Sequence, residues 1–577
     1  MVRLFAAGLV AAALGSQTEI QTPQTMPPRP APLGVPTRDA RPAATGTAVI
    51  RGRIFAADTN KPLRRARITV QAPELGGEPR STSTNADGRY EIKELPAGRY
   101  TITVARSGYL QLRYGQRRPF ELGKQLQLTD RQLADNVDFT LPRMSLITGR
   151  IFDEAGEPIS GVRVMAMRSV FFEGRRRLVP AFGPMVTTDD AGQYRILGLS
   201  PGSYFVTADI RETWTVSENG VETVMGYANT YFPGVAGLSE ARRITVGIAQ
   251  EVANQDFALV PGRAATVSGV ALDSLSRPIA GRQIGLAQEF KGPGNLMIQT
   301  SQGATTGPDG TFTMKNVPPG EYKLIFRTTT DRDGGQVQEA AAALVAVNNA
   351  DISNVILMAS AGWNFTGRLI TESGEAPPIA FDRFRVVGRP LNTDNAVPGL
   401  GGPPGSGDSG RIKGDWTFSV SNLFGPVRVR ITGPDEWMVK SIRQEGRDIT
   451  DSELEGHNGE SVGNVEIVVT NKTSTVSGQL LDDRGAAILD GTVIVFSTDA
   501  AKWAEDSRYV RAARPDQEGK FQIRGLPPGQ YLAIAIEYVE EGMWNDPEYL
   551  EPARADAQPL SLTEGEAKSV SLKVVRR

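Results

Sequence analysis

The sequence predicts an all-β protein built from tandem β-sandwiches, and three observations carry that expectation. Glycine and proline are frequent, 62 and 38 of 577 residues, so turns must recur at short intervals. Apolar residues alternate with a period of two, as in Ile68/Val70 and Val162/Val164, the mark of half-buried strands. A phrase also returns along the chain: KELPAGRYTITVAR from Lys93, LGLSPGSYFVTADI from Leu197, KNVPPGEYKLIFRT from Lys315 and RGLPPGQYLAIAIEY from Arg524. A repeated turn of Pro, Gly and Tyr supplies no nucleophile and no acid–base pair, so it reads as scaffold.

The elements follow in a fixed order. Each unit opens with a strand expected to end in glycine: VIRGRIF, LITGRIF, TVSGVAL, NFTGRLI and TVSGQLL, with Gly52, Gly149, Gly269, Gly367 and Gly478. A second, alternating strand comes next, for example GEPISGVRVMA. Then a tight turn places an aromatic two residues after its glycine (NADGRYEI, DDAGQYRI, GPDGTFTM, IKGDWTF, DQEGKFQI). Asp-Gly suits a hairpin because glycine accepts the positive φ. The Pro-Gly of the returning phrase suggests a type II turn. The aromatic after it (Tyr100, Tyr204, Tyr322, Tyr531) is placed like the tyrosine that pins a strand crossover in Greek-key sandwiches. A strand pair such as ITVGIAQEVANQDFAL closes each unit. EAAAALVAV near residue 339 is the nearest approach to a helical pattern, and it serves equally as the start of a strand.

The expected domains are 46–142, 143–262, 263–360, 361–472 (divergent) and 473–577, each of the size of an immunoglobulin-like sandwich. They follow a signal peptide at 1–15 and a Pro-rich linker at 16–45. Arg3, the apolar run Leu4 to Leu14 and the small residues of Ala13-Leu14-Gly15 carry the signal reading. The run is too short to span a bilayer, which takes about 20 apolar residues. The expected location is therefore outside the cytoplasm, as periplasmic, surface or extracellular protein, with no transmembrane segment in the mature chain.

The motifs G-R-x-x-D/E-x-x-G-x-P (GRIFDEAGEPISGVRV), D-x-x-G-x-Y/F and L-P-P-G-x-Y resemble those of the carboxypeptidase regulatory-like domain. That resemblance implies a transthyretin-like sandwich, often placed near starch-binding-like folds, and it spans almost the whole mature chain. Unit 4 departs from it, with LFGPVRVRITG in place of the corner and GLGGPPGSGDSG intruding. In metallocarboxypeptidases this sandwich is an accessory beside a separate zinc domain, so the resemblance brings no catalytic residue with it.

Composition narrows the chemistry. Lys+Arg of 63 against Asp+Glu of 65 gives a net charge of -2, which offers no field to attract nucleic acid. Cysteine is absent and His457 is the sole histidine, so disulfides, thiol catalysis and a His-x-x-Glu plus His zinc site are out of reach. His457 reads as a surface-loop residue. No catalytic, cofactor-binding or metal-ligating residue is assigned; the Asp-rich turns lack a calcium-loop pattern. The candidate ligand contacts are aromatic: Trp503 and Tyr509 in AAKWAEDSRYVRAARPDQ, and Trp544 and Tyr549 in the acidic EYVEEGMWNDPEYLEP. The basic run Arg175 to Arg177 is expected at a hairpin tip, where it suits an acidic surface. Tyr227, Tyr231 and Phe232 read as a structural edge loop.

Three functions remain open at this level. The first is a non-catalytic, exported scaffold of the bacterial envelope, pictured as a rod of domains that presents aromatic loops to an envelope or surface protein. The second is a carbohydrate-binding protein that stacks polysaccharide on those rings. The third, a peptidase or glycoside hydrolase, lacks site-building residues.

Overall fold

The glycine that opens each unit sits where a strand sheet admits no side chain. The computed structural model describes residues 45–576, apart from 77, 119, 173, 182–184, 293–294, 333–334, 392–408 and 505. The signal peptide, nearly all of the Pro-rich linker and most of GLGGPPGSGDSG lie outside the described residues. In every unit the opening strand (Ala48–Ala56, Ser145–Phe152, Ala265–Leu272, Trp363–Thr371, Ser474–Leu481) is central. It pairs antiparallel with the strand of the aromatic hairpin and parallel with the closing strand or strands. A Cβ at Gly52, Gly149, Gly269, Gly367 or Gly478 would lie well under 3.0 Å from a backbone carbonyl of the closing segment. The hairpin aromatic lies directly opposite: Gly52 faces Tyr90, Gly149 Tyr194, Gly269 Phe312, Gly367 Phe418 and Gly478 Phe521. Its ring covers the space that the glycine leaves. In units 1 and 2 the hydroxyl reaches further, Tyr90 donating to Val137 O and Tyr194 to Gln255 O, both at 2.7 Å.

The tyrosine of the returning phrase starts the corner strand of the second sheet. Its hydroxyl donates to a backbone carbonyl four residues upstream: Tyr100 to Pro96 O (2.7 Å), Tyr204 to Ser200 O (2.5 Å), Tyr322 to Pro318 O (3.0 Å) and Tyr531 to Pro527 O (2.6 Å). That bond locks the crossover between sheets, as the sequence suggests. The type II turn, by contrast, is not formed. Gly202 and Gly320 have φ of 159°, which is extended backbone that begins the strand. The left-handed residue lies upstream instead, at Glu94, Gly198, Asn316, Asn422 and Gly525, with φ between 58° and 88°. Ladder register slips in the same region of each unit, so the corner is made by a bulge at the end of the hairpin strand. The motif is present in unit 4 as well, through Asn422. There the missing tyrosine is replaced by Trp363, whose Nε1 donates to Gly425 O at 3.0 Å from inside the core.

Separate apolar clusters include Tyr100 in unit 1, Tyr204 in unit 2, Phe326 in unit 3, Phe365 in unit 4 and Tyr531 in unit 5, where the strands join in one eight-stranded sheet. EAAAALVAV belongs to the strand Gly335–Val347. The second sheet differs between units in one respect. In units 1, 2, 3 and 5 the corner strand is paired on both edges. In unit 4, among the described residues, the corner strand Val427–Thr432 forms a ladder only with Arg385–Pro390, a two-stranded sheet, and a single bridge with Leu454. Among the described residues no helix is long and apolar enough to cross a membrane.

Candidate functional site

Trp503 lies in a core. Its indole is 1% exposed, donates Nε1–H to Ser497 O at 2.7 Å and meets Phe496 edge to face at 5.5 Å. The expectation that Trp503 stands outward as a ligand contact is therefore corrected. A short 3-10 turn, Ala500–Lys502, capped by Asp499, folds the ring back over the outer face of the unit 5 sheet. Trp544 and Tyr549 are half-buried against the same cluster, which also holds Val539 and Leu550. Tyr509 is half-buried at the contact between units 4 and 5, where its hydroxyl and Arg508 both reach Asp451.

The acidic-aromatic segment packs within the chain, on units 1 and 2. Glu540 meets Arg168 of unit 2 at 2.5 Å, and Glu541 meets Arg113 of unit 1 at 3.0 Å. Asp546, fully buried, caps the helix Pro547–Ala553 through Glu548 N and accepts from Arg176 at 2.7 Å. The basic hairpin tip thus meets an acidic surface, and that surface is unit 5 of the same chain. Arg168 also lies 3.6 Å from the centroid of Phe120, and Arg118 stacks 5.0 Å from that of Tyr538.

Arg514 completes this contact. Its side chain is 2% exposed and faces Glu121 of unit 1 at 3.2 Å and Asp490 of its own unit. It also donates to Gly115 O (2.9 Å) and Leu122 O (3.0 Å), while Glu121 holds its own loop through the backbone N–H groups of Arg117 and Arg118. Beside it Lys124 bonds to Leu489 O. Burial, and then the Arg514 charge, pushes the Lys124 ammonium down to about 8. Arg99 of unit 1 further pairs with Asp435 of unit 4. The picture of a rod of domains is thereby corrected: unit 5 folds back on units 1 and 2, tied to them by the buried Arg514–Glu121 pair, by more exposed ion pairs and by cation–aromatic contacts.

Polar groups elsewhere serve local structure. The carboxylates of Asp153, Asp189, Asp482 and Asp516 each accept two backbone N–H groups of their own turn. Among the described residues no three of His, Cys, Asp and Glu converge to hold a metal ion. His457 is exposed, and its backbone N–H donates to Glu460. Tyr227 and Phe232 lie in the core of unit 2.

A cleft lined by five arginines, with Asp435 and Asp506 among them, lies at the open side of unit 4. Its volume is ≈ 530 Å³. Val429, Ile431, Ile442 and Val469 form an apolar wall that leads into the unit 4 core, with Trp437 at the rim. Arg508, Arg511 and Arg524 of unit 5 form the opposite wall. Arg508 is tied to Asp451, but among the described residues Arg511 donates only to the backbone carbonyls of Ser507 and Val510. Arg430 donates to Val429 O (3.0 Å), Thr450 O (3.1 Å) and, less closely, Asp506 O, and its buried Nε has no partner among the described residues. Burial and the neighbouring Arg428 push Arg430 down to about 10, and burial lowers Arg511 as well. Sequence reasoning missed these residues, although it marked VRVRITG as the place where unit 4 breaks the pattern.

No curated protein sequence matches the chain. A streptococcal ancillary pilin is similar at 13% identity over 54% of this chain and 98% of its own, with a TM-score of 0.19. The minor pilin of Streptococcus agalactiae gives 12% identity over 37% and 95%, TM-score 0.20. A putative carbohydrate binding protein from Pseudomonas aeruginosa gives 14% over 16% and 88%, TM-score 0.13. The family description that matches is the carboxypeptidase regulatory-like domain, in two successive copies. The match covers residues 49–142 and 146–231, so those two stretches are successive carboxypeptidase regulatory-like domains.

Proposed function

We propose that this is a non-catalytic, exported scaffold of the bacterial envelope whose sandwiches lock into one body. The observation that carries the reading is the acidic segment Glu537 to Tyr549, clamped by Arg113, Arg118, Arg168 and Arg176 instead of facing outward. A chain that spends its charged loops on joining its own domains gains rigidity, which suits a load-bearing or spacing role. The reading is tested by small-angle scattering on the purified mature chain, alongside panels of peptide and glycoside substrates. A radius of gyration that matches the folded-back arrangement, retention by envelope proteins and no turnover support it. An extended scattering profile, or turnover lost on a single carboxylate change, would sink it.

A carbohydrate-binding protein is the alternative, and it rests on the half-buried rings of Tyr509, Trp544 and Tyr549. Retardation in polysaccharide gels that disappears in Trp544→Ala would favour it.

A further inference from the structure

Among the described residues, unit 4 lacks a strand that each of the other four units possesses. On the corner strand of unit 1 the outer edge takes Leu112–Arg113 and Leu126–Leu128; in unit 2 it takes Thr230–Tyr231 and Ile244–Val246. In unit 3 it takes Gly335–Val347, and in unit 5 Gln558–Leu562. All of these are antiparallel. The equivalent edge of Val427–Thr432 has one partner among the described residues, a single bridge in which Val427 N donates to Leu454 O (2.9 Å) and Leu454 N to Val427 O (2.8 Å). A residue in a strand directs its N–H and C=O to the same side, and the side alternates along the chain. Val429 and Ile431 therefore direct theirs to the same edge as Val427, into the arginine-walled cleft. Arg430 covers part of the vacancy with its own guanidinium, on Val429 O and Thr450 O.

We propose that this edge is a docking site for an extended acidic peptide of another protein, which adds as an antiparallel strand to Val427–Thr432. About five residues would fit along it. Alternate side chains enter the mouth of the unit 4 core beside Val429, Ile442 and Val469, so they must be apolar. Those between them face Arg430, Arg511 and Arg524, which form no ion pair among the described residues, so they must be carboxylates. Main-chain bonds then supply affinity, and the alternation supplies selection, as in other strand-addition sites. The chain's own Pro-rich stretch before residue 45 is a poor occupant. Proline brings no donor to a ladder, and Arg29, Arg38 and Arg41 would meet like charge.

The site stands independently of the scaffold reading. Its test is fluorescence anisotropy with the full mature chain and a labelled six-residue peptide of alternating Val and Glu. Binding that weakens on raising salt, and that falls at least tenfold when alternate peptide nitrogens are methylated, is the expected result. Arg524→Glu, at an exposed position, should lower affinity at least tenfold while the circular dichroism spectrum stays unchanged. Undiminished binding by the methylated peptide, by Arg524→Glu or by a Val/Lys peptide would overturn the proposal. So would displacement of the probe by oligogalacturonate as effectively as by unlabelled peptide, or no binding at millimolar peptide.

Discussion

Replacing Arg514 by methionine keeps much of the side-chain volume but removes the cation that faces Glu121, a carboxylate whose side chain is only 6% exposed. Breaking one partner of such a pair costs about 3–5 kcal/mol, because the remaining charge is left buried. The carbonyls of Gly115 and Leu122 lose a charged donor in the same change, which places the expected loss at the upper end of that range. Glu121→Gln keeps an acceptor for the backbone N–H groups of Arg117 and Arg118, so it should cost less, about 1–3 kcal/mol. The pair belongs to one network, so the two changes should not add; a coupling of about 1–3 kcal/mol is expected. Urea unfolding followed by tryptophan fluorescence reads the cycle, and protease cleavage between residues 114 and 124 reads the loop that Arg514 pins. A loss below about 1 kcal/mol in Arg514→Met, or strict additivity, would refute the argument that this guanidinium is a buried tie between units 5 and 1.

Gly478→Ala forces a methyl into the carbonyl of Val570, so unit 5 should lose about 3 kcal/mol or more in thermal unfolding. An unchanged melting profile would show that the closing strand can move away. Tyr531→Phe deletes only the bond to Pro527 O and should cost about 1 kcal/mol, read as a small shift in urea midpoint. For Lys124, the folded value of about 8 lies below the unfolded 10.5. Between those values the unfolded chain holds more protons, so stability rises with pH across that window. The full difference corresponds to about 3 kcal/mol, and partial exposure discounts it to about 1–2 kcal/mol. Lys124→Met should abolish that rise and raise the midpoint at pH 7; a wild-type midpoint that is flat from pH 7.5 to 10 would count against it.

What the sequence determined by itself is the repeated unit. Gly52 and its four equivalents, the aromatic opposite each and the tyrosine of each corner are local rules. Every partner in them lies within one unit, and the rule is written again in the next. The period of two marks the strands because a sandwich strand has one face in the core. The bulge at Glu94, Gly198, Asn316, Asn422 and Gly525 was hidden in the same phrase, since the neighbouring Pro-Gly offered a more familiar turn. Tertiary structure alone decided the rest. Arg514 and Glu121 stand 393 positions apart, and no periodicity links them. Trp503 reads alike in a loop or a core, because an indole buries itself wherever a neighbouring sheet face is open. The partly open edge of Val427–Thr432 became visible, among the described residues, only beside four units that fill the same position with a strand.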